Sequence, residues 1–217
     1  MSTVWLWQTE LPPVNRSEAL RYAGVKETTP EMNDLLQECI QLCQNSLTPR
    51  VCYAFYPITR QDGLLDLDFA KTGSSALRRN LAGCDEIVLF AATIGLEMDR
   101  LAARYAQLSP ARSVMLQAIG AERIETLCDA FENELIRQGH EVSPRFSPGY
   151  GDLPLDLQRE IFAALDCPKR IGVSLNESLL MSPSKSVSAI IGLGGEANER
   201  CTHNCALCTL TNCLYRR

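Results

Sequence analysis
The 217-residue chain is long enough for one well-filled domain, and its 46% apolar and 22% charged content is that of an ordinary soluble globule. A net charge of −5 argues against a nucleic-acid binder, which is usually basic. No run of about 18 apolar residues marks a transmembrane helix, and the N-terminus lacks the basic and long apolar regions of a signal peptide, so a cytoplasmic chain with no membrane partner is expected.

Taken in chain order, Ser17 is placed to cap a first helix over 17–24, which Gly24 would end. Thr29-Pro30 introduce a second helix from about 31 to 45, with Leu35, Leu36, Cys39, Ile40 and Cys43 at helical spacing. Residues 51–56 are rich in strand formers and stop at Pro57. Leu65, Leu67 and Phe69 alternate as a strand would, 74–81 reads as a helix, and 86–91 reads as a buried strand. A helix over 96–108 follows. The longest helix spans 111–138 between Pro110 and Gly139, with a stripe of Ile124, Leu127, Cys128, Phe131 and Leu135, and with Gly120 as a mild defect. A short helix over 155–165 and strands over 175–181 and 187–193 complete the reading, and Gly192–Gly195 look like a hinge. Helices dominate without regular strand–helix alternation. The expected fold class is therefore α+β: a single domain with a mainly antiparallel sheet flanked by helices, plus a short cysteine-rich C-terminal tail.

Binding chemistry concentrates in the run Arg145-Phe-Ser-Pro-Gly-Tyr150. Arginine offers a planar fork of donors to a carboxylate or phosphate. Pro144 and Pro148 restrict the backbone, Gly149 lets a ligand approach the main chain, and Tyr150 supplies a flat face with a polar tip. The set suits a zwitterionic, partly aromatic small molecule, although the same residues also compose an ordinary loop. At about 100° per residue, Glu125 falls at the edge of the helix's apolar stripe and Glu122 nearly opposite to it. Asp152 is expected to cap the helix beginning near Pro154, and His140 to face solvent. No Ser-His-Asp or Cys-His arrangement and no Walker-type loop stands out.

Ten cysteines are many. Cys39, Cys43, Cys52, Cys84, Cys128 and Cys167 lie in apolar or helical contexts and are expected to be buried thiols. The other four, Cys201-x3-Cys205-x2-Cys208-x4-Cys213, fall within the last 17 residues and point to a metal site. Four thiolates can close a tetrahedral zinc site or hold an iron–sulfur cluster, and His203 could replace one of them.

The Arg145–Tyr150 run resembles the S-adenosylmethionine-binding motif of the activation domain of cobalamin-dependent methionine synthase, Arg-x-Ala-x-Gly-Tyr. Arg145, Gly149 and Tyr150 match, and Ser147 replaces the alanine. A second block, Leu175-Asn-Glu-Ser-Leu-Leu-Met-Ser-Pro-Ser-Lys-Ser-Val-Ser188, is similar to the family's Leu-Thr-Glu-Ser-x-x-Met-x-Pro-x-x-Ser-Val-Ser. The likeness runs from about Ala118 to Gly192, while Arg21-Tyr-Ala-Gly24 and Leu89-Phe-Ala-Ala-Thr-Ile-Gly95 look more like stand-alone, short versions of the domain.

The resemblance implies an activation-like domain over 1–195, to which the four-cysteine metal-binding tail over 196–217 is an addition. It implies a cofactor site of Glu125, Arg145, Ser147, Gly149 and Tyr150, with Glu125 toward the ligand's ammonium and Arg145 toward its carboxylate. The family's acidic residue near the start of the domain has no match here. No catalytic side chain is implied, because two cofactors face each other and carry the chemistry. A cob(II)alamin on the partner is reduced by one electron, from a donor such as flavodoxin or ferredoxin, and then takes the methyl group of S-adenosylmethionine. The implied partner is a cobalamin-binding methionine synthase or another corrinoid methyltransferase; the alternative is a non-catalytic metal-binding adaptor. A need for low-potential electrons favours a [4Fe-4S] cluster over zinc at Cys201, Cys205, Cys208 and Cys213.

Overall fold
A computed structural model describes residues 2–194; the four-cysteine tail and His203 lie outside the described residues. The chain opens with β1 (Trp5–Trp7), a strand too short to show a period in the sequence. The first helix, α1 (Arg16–Tyr22), is capped by Asn15 rather than Ser17: Asn15 Oδ1 accepts from the Glu18 amide and from the Ser17 hydroxyl. Thr29 caps α2 (Pro30–Cys43) as its position suggests. Next come β2 (Arg50–Pro57) and a small sheet of β3 (Thr59–Gln61), β4 (Leu64–Asp66) and β5 (Lys71–Thr72). The strand expected through Phe69 stops at Asp66 because Asp68 turns the chain at φ 67°.

After α3 (Ser75–Asn80), β6 (Glu86–Thr93) and α4 (Glu97–Leu108) comes the long helix α5 (Pro110–Arg137). A 3-10 turn at Leu155–Leu157 leads into α6 (Gln158–Leu165) and then α7 (Cys167–Ile171), which the sequence reading missed. The strand expected over 175–181 is instead a hairpin of β7 (Ser174–Leu175) and β8 (Met181–Ser182), reversed at Leu179 with φ 62°. The last element is β9 (Ser186–Leu193).

The main sheet has the order β1-β2-β6-β9 and is antiparallel throughout, so the α+β expectation holds. On one face Val88, Phe90 and Ala92 cluster with Leu36, Leu127 and Phe131. On the other, Ile87, Leu89 and Ala91 cluster with Leu77, Ile161 and Leu165. Each fully buried Leu, Ile or Phe contributes about 1.5–3 kcal/mol of apolar transfer. The expected α5 stripe is buried along its whole length. Phe131 is its hub, with ring centroids 5.0 Å from Tyr53, 5.2 Å from Phe90 and 5.5 Å from Trp7.

The six cysteines outside the tail are free and buried. Burial pushes the Cys39 and Cys43 thiols up to about 11. Gly192 is no hinge: it lies within β9, where a Cβ would sit 2.6 Å from Cys84 Sγ and 2.8 Å from Leu81 Cδ2. Gly120 makes room for the Lys185 stem, whose Cε would lie 2.9 Å from a Cβ there. His140 is half-buried, its ring 5.9 Å from that of Phe55, rather than facing solvent.

Glu122 corrects the helical-wheel reading. It is buried and ion-paired to buried Arg123 at 2.5 Å. Glu122 Oε1 accepts from the Asn15 amide at 3.1 Å, and Arg123 donates to the carbonyls of Pro12 and Pro13. The segment leading into α1 lies over this side of α5, a contact that a wheel drawn for α5 alone does not contain. Among the described residues no helix is long and apolar enough to cross a membrane.

Candidate functional site
Glu125, Asp129 and Glu132 follow one another at i, i+4 and i+7, which places them along one side of α5. Arg145 reaches them from the loop after the helix. Its Nη2 donates to Glu125 Oε2 at 2.6 Å, and its Nη1 donates to Asp129 Oδ1 at 2.7 Å and to Glu132 Oε1. The Arg145 side chain is 9% exposed, against 27% for Glu125, 51% for Asp129 and 7% for Glu132. Burial works against the guanidinium charge, but Glu132 and its acidic neighbours outweigh it and hold Arg145 above its ordinary value. Three carboxylates around one guanidinium leave the cluster net negative. Cys128, within the same stretch of helix, is fully buried, and burial pushes its thiol up.

The loop carrying Arg145 is tied down at both ends. Phe146 exchanges backbone hydrogen bonds with Ile190 on β9, at 2.8 and 2.9 Å, and the Pro144 carbonyl accepts from Asn80 Nδ2 at 2.9 Å. Gly149 turns at φ 89°, and its amide donates to the Leu153 carbonyl. The Tyr150 amide donates to the Ser147 carbonyl at 3.1 Å. Tyr150 is 42% exposed, with its ring edge-on to Phe146 at 6.0 Å. At Gly151, with φ 56°, a Cβ would sit 2.8 Å from Ala76 Cβ, so only glycine allows this approach to α3.

Asp152 does not cap the helix near Pro154; it caps α3. Its carboxylate accepts from the Ser75 amide at 2.8 Å, the Ala76 amide at 3.0 Å and the hydroxyls of Ser74 and Ser75 at 2.5 and 2.8 Å. These bonds, led by that from Ser74, hold its carboxyl well below the usual carboxylate range.

The structure thus brings Glu125 and Arg145 together, but facing each other, with the guanidinium fork already filled. Ser147, Gly149 and Tyr150 share the adjoining turn. Asp129 and Glu132 escaped the sequence reading, although their spacing from Glu125 was a usable signal. Asp152's partners were out of reach, because they lie 76 to 78 residues away in the chain. A separate depression of about 420 Å³, lined by Gln8, Thr9, Glu10, Thr48, Pro49 and Arg50, contains none of these residues. Among the described residues no group of three or more His, Cys, Asp or Glu is placed to hold a metal.

Residues 129–200 match the family described as the vitamin B12 dependent methionine synthase activation domain. Over that stretch, about a third of its length, the chain is similar to the activation domain. The matched stretch begins at Asp129 in the carboxylate row and takes in the Arg145–Tyr150 loop, the β7–β8 hairpin and β9. A crystal structure of the MetH reactivation domain bound to AdoHcy has the same fold: TM-score 0.68 and 19% identity, covering 91% of this chain and 80% of that one. No curated protein matches the chain. The segment similar to the activation domain's second block is held by Asp99 on α4, which accepts from the Ser184 amide at 2.7 Å and from its hydroxyl at 2.5 Å.

Proposed function
We propose that the chain binds S-adenosylmethionine against the Arg145–Tyr150 loop and the acidic side of α5, and that it supports reductive methylation of cobalamin carried by a methionine synthase partner. The observation that carries this reading is a buried guanidinium surrounded by carboxylates, next to a glycine turn and an exposed tyrosine ring. Arg145 and Glu125 together can pair with both ends of an amino acid. The net-negative cluster suits a ligand with an added sulfonium charge. Gly149 leaves the main chain open to close approach, and Tyr150 offers a face for an adenine ring. The hydroxyl of Ser147 stands where the family motif has a methyl group.

The chain's own residues bind and orient; no side-chain nucleophile is required. The corrinoid on the partner supplies the methyl acceptor. Orienting the sulfonium methyl toward that acceptor and excluding water are the contributions of this site. The tail over 196–217 would hold a [4Fe-4S] cluster through Cys201, Cys205, Cys208 and Cys213, whose four thiolates suit it, and would supply one-electron transfer; zinc is the alternative occupant.

Calorimetry of the full chain with S-adenosylmethionine tests the reading. Binding that is lost on Arg145→Ala is expected, together with methylcobalamin formation when a cobalamin-loaded partner and an electron donor are added. Absence of binding in the wild-type chain would sink it and leave the adaptor role.

A further inference from the structure
We propose that the Glu125–Arg145 ion pair is an exchangeable lock, opened by the α-amino-acid end of the ligand while Glu132 and Asp129 keep Arg145 in place. This rests on the S-adenosylmethionine reading above and adds how the site opens and which residues stay fixed.

The two edges of the guanidinium are held unequally. Nη1 is bonded by both Asp129 and Glu132, and the Glu132 side chain is slightly more buried than that of Arg145 itself. Of the three carboxylates, Nη2 meets only Glu125, whose side chain is 27% exposed. Moving Glu125 away uncovers one edge of the fork and leaves the other anchored. Removing Glu132 instead would take away the buried partner of Nη1 and leave that edge to Asp129, whose side chain is 51% exposed. Water already reaches Glu125, so its release from Arg145 is partly compensated by hydration.

The exchange also conserves pairing. The ligand's carboxylate takes the Nη2 edge bidentately or singly, and its ammonium takes the freed Glu125 carboxylate. One ion pair opens and two form, with no proton transferred and no net charge added by the zwitterion. A ligand lacking the amino-acid end cannot make this trade. It would leave the lock shut and bind through its nucleoside alone. Glu132 is thus a positioning residue that acts through Arg145, and Glu125 a direct contact formed only after exchange.

The test is calorimetry of the full chain with two ligands whose sulfur is uncharged: S-adenosylhomocysteine, which carries the amino-acid end, and 5′-methylthioadenosine, which keeps the nucleoside and lacks that end. Glu132→Gln is expected to weaken S-adenosylhomocysteine by about tenfold or more, as loss of a charged hydrogen bond does, and to leave methylthioadenosine within about twofold. Glu125→Gln, at the more exposed position, should show the same selectivity and keeps the test intact if Glu132→Gln does not fold. Equal losses for both ligands would overturn the proposal. So would a crystal structure with S-adenosylmethionine bound in which Nη2 still meets Glu125. A wild-type chain that binds neither ligand removes the methyl-donor reading and this inference with it, whereas unselective losses in a chain that does bind remove the lock alone.

Discussion
Asp152 does at the scale of one residue what a cap does for a helix, but from another part of the chain. Its two oxygens cover the amides of Ser75 and Ala76 at the start of α3, and Ser74 covers that of Leu77. Because Asp152 comes just after the Arg145–Tyr150 loop, the same bonds fix where Gly149 and Tyr150 sit. The folded carboxyl is held below its ordinary value of 3.8, so its contribution is complete above that pH and is lost as the pH falls toward the lower folded value. Asp152→Asn should therefore lower the melting temperature most near neutrality. The gap to the wild-type chain should narrow between about pH 5 and about pH 2.5. A gap independent of pH over that range would show that the carboxylate charge is not what holds α3. The variant should also bind S-adenosylmethionine more weakly at neutral pH, because the loop loses its anchor.

Among the elements, α5 does most to build the site, and its two sides show what sequence can and cannot reveal. The apolar stripe and the boundaries at Pro110 and Gly139 were legible because period and punctuation are local. So were Thr29 before α2 and the core of β6, and the Arg145, Gly149 and Tyr150 spacing marked the loop. What failed was whatever depended on a distant partner. The three residues of β1 become a strand only by pairing with Val51–Tyr53 of β2. The break at Leu179 puts a non-glycine residue at positive φ, which no turn signal announced. The wheel places Glu122 nearly opposite the apolar stripe, but the segment over 12–15 that covers it and Arg123 lies more than 100 residues away in the chain. That pair is a buried one with 3% exposure on each side, and breaking one half leaves the other uncompensated. Glu122→Ala should destabilise the fold by about 3 kcal/mol or more, measured by urea denaturation. A loss well under 1 kcal/mol would mean that the Pro12 and Pro13 carbonyls suffice for Arg123.

For the whole molecule, β9 joins the Arg145–Tyr150 loop and ends at Leu193, shortly before residues 195–217. Phe146 pairs with Ile190, and four residues further on the Gly194 amide donates to the Glu141 carbonyl. At about 3.3 Å per residue, the point where the described fold ends lies about 13 Å along the strand from the point where the loop joins it. Under the proposed function, residues 195–217 are long enough to bring the proposed metal centre near the proposed methyl-donor site, and a role in delivering electrons to a partner's corrinoid would need that proximity. The described residues, by contrast, close their own core: the sheet has apolar clusters on both faces, and Leu193 is already paired to Glu86. Truncation after Gly194 should therefore leave the melting temperature and S-adenosylmethionine affinity nearly unchanged. On the proposed cluster reading, it should abolish bound iron and the broad absorption near 400 nm expected for a cluster. Methylcobalamin formation should survive with a strong chemical reductant and fail with a protein donor such as ferredoxin. A truncated chain that works equally well with ferredoxin would show that electrons reach cobalt without the tail, and a full-length chain loaded with zinc and no iron would assign the tail to folding alone.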